Sequence, residues 1–178
     1  RVFKWDGSSY NLYGSKIAGE AQDGRSGNQF GYSNYLSSDG NTTSITVNRY
    51  NDSLNSWAGY VRTFDYKSGD WVKRDSDIIV KENWNRARLS ADGNTLSLMN
   101  YNNDSIATNA GATSVYKWNG KKWNQLGSTL FGLNENEYFG TESSFSANGK
   151  MIAVGAYNLN ATGYVKVFEW DGTAWNQR

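Results

Sequence analysis

One short motif occurs four times along the chain, and its spacing constrains the fold more than any other feature of the sequence. Each copy is a short strand-like run, such as Val2-Phe3-Lys4-Trp5-Asp6-Gly7, that contains one key aromatic residue. The four key aromatic residues are Trp5, Tyr66, Trp118 and Trp170. Successive copies lie 61, 52 and 52 residues apart. A period of this size is typical of stacked supersecondary units that bury a core between neighbours.

Three further landmarks recur in the same order in each unit: an aromatic-glycine pair, a hairpin turn and a short apolar strand. The pairs are Phe30-Gly31 and Phe139-Gly140, with Asn83-Trp84 at this place in the middle unit. The turns are Asp39-Gly40, Asp92-Gly93 and Asn148-Gly149, and the apolar strands lie at 44–47, 96–99 and 151–154. Asp-Gly and Asn-Gly readily adopt the positive φ angles of two-residue hairpins, so we expect tight turns here.

These landmarks predict four short strands per unit and an all-β fold. Four antiparallel strands in about 50 residues are typical of a β-propeller blade, so we expect about three four-stranded antiparallel blades in this chain. We expect a single repeat domain over residues 1–178, with units at approximately 7–66, 67–118 and 119–170. The motif aromatics then have a structural interpretation, because large flat side chains fill the space between blades.

Several segments resemble a known repeat family. They are Phe139-Gly140-Thr141-Glu142-Ser143, Ile152-Ala153-Val154-Gly155-Ala156 and Trp170-Asp171-Gly172-Thr173-Ala174-Trp175. The first two resemble the FG-GAP repeats of integrin-α-like propellers, and the third is similar to bacterial and algal surface-protein repeats with a Trp-Asp-Gly-x-x-Trp tail. The resemblance implies a propeller fold at a cell surface. FG-GAP repeats often carry an Asp-rich calcium loop, but a short turn stands in its place here, so we expect no metal and no cofactor.

Composition excludes several functional classes. The net charge is +1 without a basic stripe, so we expect no nucleic-acid partner, and no apolar run is long enough to span a membrane. The chain has no Cys and no His, which removes thiolate chemistry and the usual general base. The carboxylates considered for glycoside hydrolysis do not lie in a recurring or apolar setting: Glu20, Asp23, Glu82, Glu135, Glu137 and Glu142. We therefore expect a protein that is not an enzyme.

Three units do not close a propeller, because closed rings typically have four to eight blades. The chain is then part of a longer polypeptide, one of several chains that complete a ring, or a unit of an open stack. We expect further blades of the same polypeptide or self-association. The leading hypothesis is an extracellular structural protein of a surface layer, stalk or filament. The alternative is a lectin- or adhesin-like module that binds carbohydrate or protein.

Two sets of residues are candidates for binding and modification. N-glycosylation sequons occur at Asn41, Asn51, Asn103 and Asn160, and the last three recur in the same loop of successive units. The aromatic residues that border these loops are Tyr50, Trp57, Tyr101 and Tyr157. Their rings either stack on sugars or pack at the base of the loops. Tyr50, Tyr101 and Tyr157 are expected at equivalent positions.

Overall fold

The computed structural model describes residues 1–19, 29–51, 56–74, 76–80, 85–157, 159 and 162–178, with side chains for all of these except 49–51, 56–58 and 85. This part of the chain consists of strands and turns and contains no helix. The strands are β1 (Phe3–Trp5), β2 (Tyr10–Leu12), β3 (Gln29–Leu36), β4 (Thr42–Asn51), β5 (Ser56–Lys67), β6 (Asp70–Lys73), β7 (Ile78–Val80), β8 (Asn85–Leu89), β9 (Thr95–Asn100), β10 (Ala112–Trp118), β11 (Trp123–Gln125), β12 (Leu130–Phe131), β13 (Phe139–Phe145), β14 (Met151–Ala156), β15 (Tyr164–Trp170) and β16 (Trp175–Gln177).

The strands form three four-stranded antiparallel meanders and one two-stranded hairpin. We name β3–β6 together with the short β7 blade 1, β8–β11 together with the short β12 blade 2, β13–β16 blade 3, and β1–β2 the N-terminal hairpin. In each blade the four main strands pair in chain order. The predicted fold class is therefore confirmed: the chain is all-β and built from propeller-type blades. The single-domain organisation and the unit boundaries stay predictions.

In blades 1 and 2 the outer strand is split in two, which the sequence pattern did not indicate. β6 pairs with one end of β5 and β7 with the other, and β11 and β12 divide β10 in the same way. The last hydrogen bond before the break runs from Arg74 N–H to Thr63 O at 2.8 Å, and from Leu126 N–H to Val115 O at 2.7 Å. After this hydrogen bond the chain leaves the edge of the sheet, so the side chains of Arg74 and Leu126 can contact residues outside their own blade.

The aromatic-glycine landmark forms a β-bulge. The pairing of β3 with β4 shifts between Phe30 and Ser33, and that of β13 with β14 shifts between Phe139 and Glu142. Gly140 has a φ of 89°, and a Cβ there would lie 2.7 Å from the carbonyl oxygen of Ala112 in blade 2. Glycine therefore allows both the bulge and the close approach of two blades.

The Asp-Gly turns differ from the expected two-residue hairpins. Ser37 N–H donates to Thr42 O at 2.8 Å, so the loop contains four residues, and the positive φ falls on Gly40. The Asp39 side chain holds this loop by accepting hydrogen bonds from the Ser37 hydroxyl at 2.5 Å and from Asn41 N–H at 2.9 Å. The same network recurs around Asp92 and Asn148. Asp and Asn are thus selected here as side-chain acceptors.

The cores lie between the blades. One buried cluster joins Val61, Ile78 and Val80 of blade 1 to four residues of blade 2: Ala87, Leu89, Leu96 and Leu98. The other joins Val115 of blade 2 to six residues of blade 3: Phe139, Ile152, Val154, Ala156, Phe168 and Trp175. Each blade therefore gains its stability from burying a face against its neighbour.

The turn carboxylates predict a pH dependence. The Ser37 hydroxyl and the Asn41 N–H hold the pKa of Asp39 below its ordinary value. Burial would raise the pKa of Asp92, but hydrogen bonds from Ser90 and Asn94 outweigh it and lower that pKa. A carboxylate of this kind stabilises the fold above its unfolded pKa of about 3.9, and the contribution is lost as the pH falls through the folded pKa.

We therefore expect the double variant Asp39→Asn/Asp92→Asn to lose less stability in acid than the native chain. Asn148 occupies the same place in blade 3 and keeps both hydrogen bonds without a titrating group. Urea unfolding at about pH 6 and about pH 3 measures the difference in the free energy of unfolding. Equal losses in the two proteins would contradict this account of the turns.

Candidate interblade interface

Each motif aromatic is the first member of a cross-strand aromatic pair. The second member lies five residues further along the chain, opposite the first in the outer hairpin. The pairs and their ring-centroid distances are Trp5–Tyr10 at 5.0 Å, Tyr66–Trp71 at 5.4 Å, Trp118–Trp123 at 5.5 Å and Trp170–Trp175 at 5.4 Å. The motif thus encodes a pair of rings in every unit.

In three of the four units, the residue after the first aromatic is an Asp or Asn that fixes the hairpin and so brings the two rings together. Asp171 Oδ1 accepts the N–H groups of Thr173 at 2.7 Å and Ala174 at 2.8 Å. Asp6 and Asn119 accept from the corresponding N–H groups of their own hairpins. These bonds hold the pKa of Asp171 well below its usual range. The Trp-Asp-Gly-x-x-Trp sequence is therefore explained by turn geometry.

In blades 1 to 3 the second ring of the pair is a Trp, and its indole N–H donates to the preceding unit. The donors and acceptors are Trp71 to the carbonyl oxygen of Tyr13 at 2.7 Å, Trp123 to the hydroxyl oxygen of Thr63 at 3.0 Å, and Trp175 to the carbonyl oxygen of Leu126 at 2.9 Å. These bonds join the N-terminal hairpin to blade 1, blade 1 to blade 2, and blade 2 to blade 3. The same kind of donor, an indole N–H, therefore occurs at three successive interfaces.

A residue of the preceding outer strand lies against each of these aromatic pairs. We call the residue eight positions after each motif aromatic the wedge residue: Tyr13, Arg74, Leu126 and Arg178. The ring of Tyr13 stacks on Tyr66 with centroids 3.8 Å apart. Leu126 packs against the buried cluster that contains Trp175. Tyr13 and Leu126 thus each lie beside the aromatic pair of the blade that follows them.

Arg74 is the wedge residue between blades 1 and 2. Its guanidinium carbon lies 5.0 Å from the ring centroid of Trp118 and 5.5 Å from that of Trp123. It also pairs with Asp65 at 2.8 Å and donates to the carbonyl oxygen of Gly93 at 2.8 Å. The arginine is therefore buried with a carboxylate, a carbonyl and two aromatic faces, which together satisfy its charge.

One strand position is buried in blades 1 and 2 and exposed in blade 3. Val61 of β5 and Thr113 of β10 lie five residues before their motif aromatic and are 1% and 0% exposed. Val165 is the equivalent residue of β15, and it is 65% exposed. Blade 3 therefore presents an interblade face that no described residue covers.

The N-terminal hairpin presents the opposite kind of face. Phe3 is 52% exposed, whereas Phe168, at the same position in blade 3, is 8% exposed. Both members of the first aromatic pair, Trp5 and Tyr10, are also exposed. The hairpin carries the rings with which blades 1 to 3 receive a wedge residue, and its own rings remain open.

A largely apolar groove separates the N-terminal hairpin from blade 1. Its volume is ≈ 720 Å³, and Phe3 and Tyr10 line one side while Phe30, Leu36 and Ile45 line the other. Among the described residues the hairpin has two strands, whereas each blade has at least four.

Two of the four predicted glycosylation sites, Asn41 and Asn103, have side chains within the described residues. Asn41 lies in the first hairpin turn, where its amide donates to Asp39 at 3.1 Å and accepts from the Tyr13 hydroxyl at 3.1 Å. Asn103 lies in the loop between β9 and β10, and its Oδ1 accepts from Ser105 N–H at 3.1 Å. Asn160 and the side chains of Tyr50, Asn51 and Trp57 lie outside the described residues. Glycosylation of these four sites stays a prediction.

The loop aromatics form a row that includes a residue the sequence reasoning missed. Tyr138 lies between Tyr101 and Tyr157, with ring centroids 6.3 Å and 6.4 Å away, and Tyr157 is exposed. Tyr138 has a φ of 51°, an unusual conformation for a bulky residue that no sequence period signals. Tyr101 and Tyr157 each lie nine residues after their turn Asp or Asn, whereas Tyr50 lies eleven residues after Asp39 and opposite Trp57.

The carboxylates considered for catalysis are dispersed. Glu137 is buried and accepts hydrogen bonds from the Tyr164 hydroxyl and from Leu133 and Asn134 N–H, and Glu142 pairs with Arg88. Glu20, Asp23 and Glu82 lie outside the described residues. In the part of the chain that is described, no three acidic side chains converge as a metal site requires. The same residues contain no helix of the length and apolarity needed to cross a membrane.

Comparison with known proteins shows a distant structural likeness to a β-propeller. No protein-family model matches the chain, and no curated protein sequence matches it. The chain is similar to the β-propeller domain of the Trilobed protease from Pyrococcus furiosus, described as having an open velcro topology, with a TM-score of 0.44 and 10% sequence identity. The match covers 80% of this chain and 41% of the other, so this chain spans about two fifths of its length.

Gly127 directly follows the wedge residue Leu126 and offers a test of how closely this segment approaches the Trp170–Trp175 pair. A Cβ there would lie 2.8 Å from the Trp170 ring and 3.0 Å from that of Trp175. We expect Gly127→Ala to cost more than Gly120→Ala, although both residues have positive φ, because a Cβ at Gly120 meets no atom within 4 Å. Strain alone costs about 1–2 kcal/mol at either site, and the clash adds on the order of 1–3 kcal/mol at Gly127. Denaturant unfolding compares the variants, and equal losses would contradict the packing described.

Proposed function

We propose that the chain is a non-enzymatic structural module that associates with further blades of its own kind, as part of an extracellular surface layer, stalk or filament. The observation that carries the proposal is the exposure of Val165, whose counterparts Val61 and Thr113 are buried at two internal interfaces. In a repeat array each unit buries one face against its neighbour, so a position that is buried in two units and exposed in the third supports association with a further blade. The resemblance to FG-GAP and surface-protein repeats supports the extracellular setting.

The two open faces differ, which supports a head-to-tail contact. Blade 3 offers the strand face and wedge position that blades 1 and 2 use toward the next blade. The N-terminal hairpin offers the aromatic pair that blades 1 to 3 use toward the preceding unit. A heterologous contact between such faces builds a ring if the rotation closes and a filament if it does not.

We expect the chain to sediment as species larger than the 19.9 kDa monomer, in proportions that depend on concentration. Val165→Asp places a charge in the proposed contact and is expected to weaken association by at least about tenfold. The matched control is Ile106→Asp, which introduces the same charge at an exposed loop residue away from this face and leaves association unchanged. A monomer at all concentrations in the native chain would refute the proposal.

The row of loop tyrosines favours a second candidate function, a lectin- or adhesin-like binding module. Aromatic faces stack on the apolar faces of sugar rings, and Tyr157 ends the row with an exposed ring. A screen against immobilised neutral oligosaccharides tests this candidate. We expect a bound oligosaccharide to be lost on Tyr157→Ala, by about tenfold in affinity, and retained on Leu133→Ala, an exposed apolar residue outside the row. Failure of the native chain to bind would exclude the candidate for the sugars screened.

A further inference from the structure

We propose that the N-terminal hairpin binds blade 3 of a second copy of the chain, with Arg178 of that copy over the Trp5–Tyr10 pair. This inference rests on the proposed function and names the contact through which copies associate. It follows from three repeated interfaces within the chain, each of which shows a wedge residue against the aromatic pair of the next unit.

Arg178 reproduces the setting of Arg74. Its backbone N–H donates to Val167 O at 2.9 Å, as Arg74 N–H donates to Thr63 O at 2.8 Å. Its side chain pairs with Glu169 at 3.0 Å, and Glu169 occupies the same position in β15 that Asp65 occupies in β5. Blade 3 therefore ends with the arginine and carboxylate that blade 1 uses to meet blade 2.

The partner that such an arginine requires is an aromatic pair. In blade 2 the Trp118–Trp123 pair receives Arg74, whose side chain is only 6% exposed, while the side chain of Arg178 is 60% exposed. Among the described residues, the pair without a wedge residue is Trp5–Tyr10. An arginine held by a carboxylate and an open pair of rings are complementary in charge and shape.

The apolar residues beside these groups match in the same orientation. Val115 of blade 2 and Phe168 of blade 3 belong to one buried cluster. Val167 is the counterpart of Val115, and Phe3 is the counterpart of Phe168. Placing Arg178 over Trp5 therefore brings Val167 toward Phe3, so that the contact between copies continues the interface already present between blades 2 and 3.

A double-mutant cycle on the 178-residue chain tests the contact. The proteins are the native chain, Arg178→Ala, Trp5→Ala and the double variant, with Lys121→Ala as a control that removes an exposed cation elsewhere. Sedimentation gives the association constant of each, and circular dichroism verifies the fold. We expect each single variant to weaken association by about tenfold and the double variant by no more than either alone, because both remove one contact. Lys121→Ala is expected to associate as the native chain does.

The outcomes separate this inference from the proposed function. If the native chain associates and Val165→Asp abolishes association, but Arg178→Ala and Trp5→Ala have no effect, the proposed function stands and this contact is wrong. Additive losses in the double variant would also overturn the contact, because they show that the two residues act independently. A native chain that never associates overturns both.

Discussion

The rest of the structure depends on one contact, in which a cross-strand aromatic pair packs against the end of the outer strand of the preceding unit. The indole N–H of Trp71 or Trp175 satisfies a carbonyl oxygen of that strand, and the ring packs beside the wedge residue. The bond gives the contact direction, and the buried ring area gives it most of its free energy. Every blade has both an aromatic pair and a wedge residue. Each blade can therefore contact the preceding unit through its pair and the following unit through its wedge residue.

The aromatic pair accepts wedge residues of different chemistry. Tyr13 stacks on a ring, Leu126 packs as an apolar side chain, and Arg74 lies over two ring faces while Asp65 holds its charge. A π face tolerates each of these contacts. The invariant part of the interface is therefore the pair, and the wedge position is free to vary between blades, which allows one interface to differ in polarity from the next.

The four main strands of each blade, their order and the blade class were predicted from the sequence, because short apolar runs and Asp-Gly or Asn-Gly turns are local signals. The sequence also carried the aromatic pair in the five-residue spacing of Trp118 and Trp123, although the pairing across the hairpin was not inferred from it. The wedge position gave no signal, since Tyr13, Arg74 and Leu126 share no property. The split outer strand and Tyr138 depend on contacts between distant segments, and the four-residue turn depends on a side-chain acceptor, so periodicity could not reveal them.

In the proposed assembly, the exposed faces of blade 3 and of the N-terminal hairpin are the two halves of one interface between copies. The absence of cysteine from the chain allows a direct measurement with the variant Phe3→Cys/Val167→Cys, whose two positions correspond to Phe168 and Val115 of one buried cluster. We expect oxidation to join position 3 of one copy to position 167 of the next and to yield covalent oligomers on non-reducing electrophoresis. Oxidised protein that remains monomeric, with both thiols free, would contradict it.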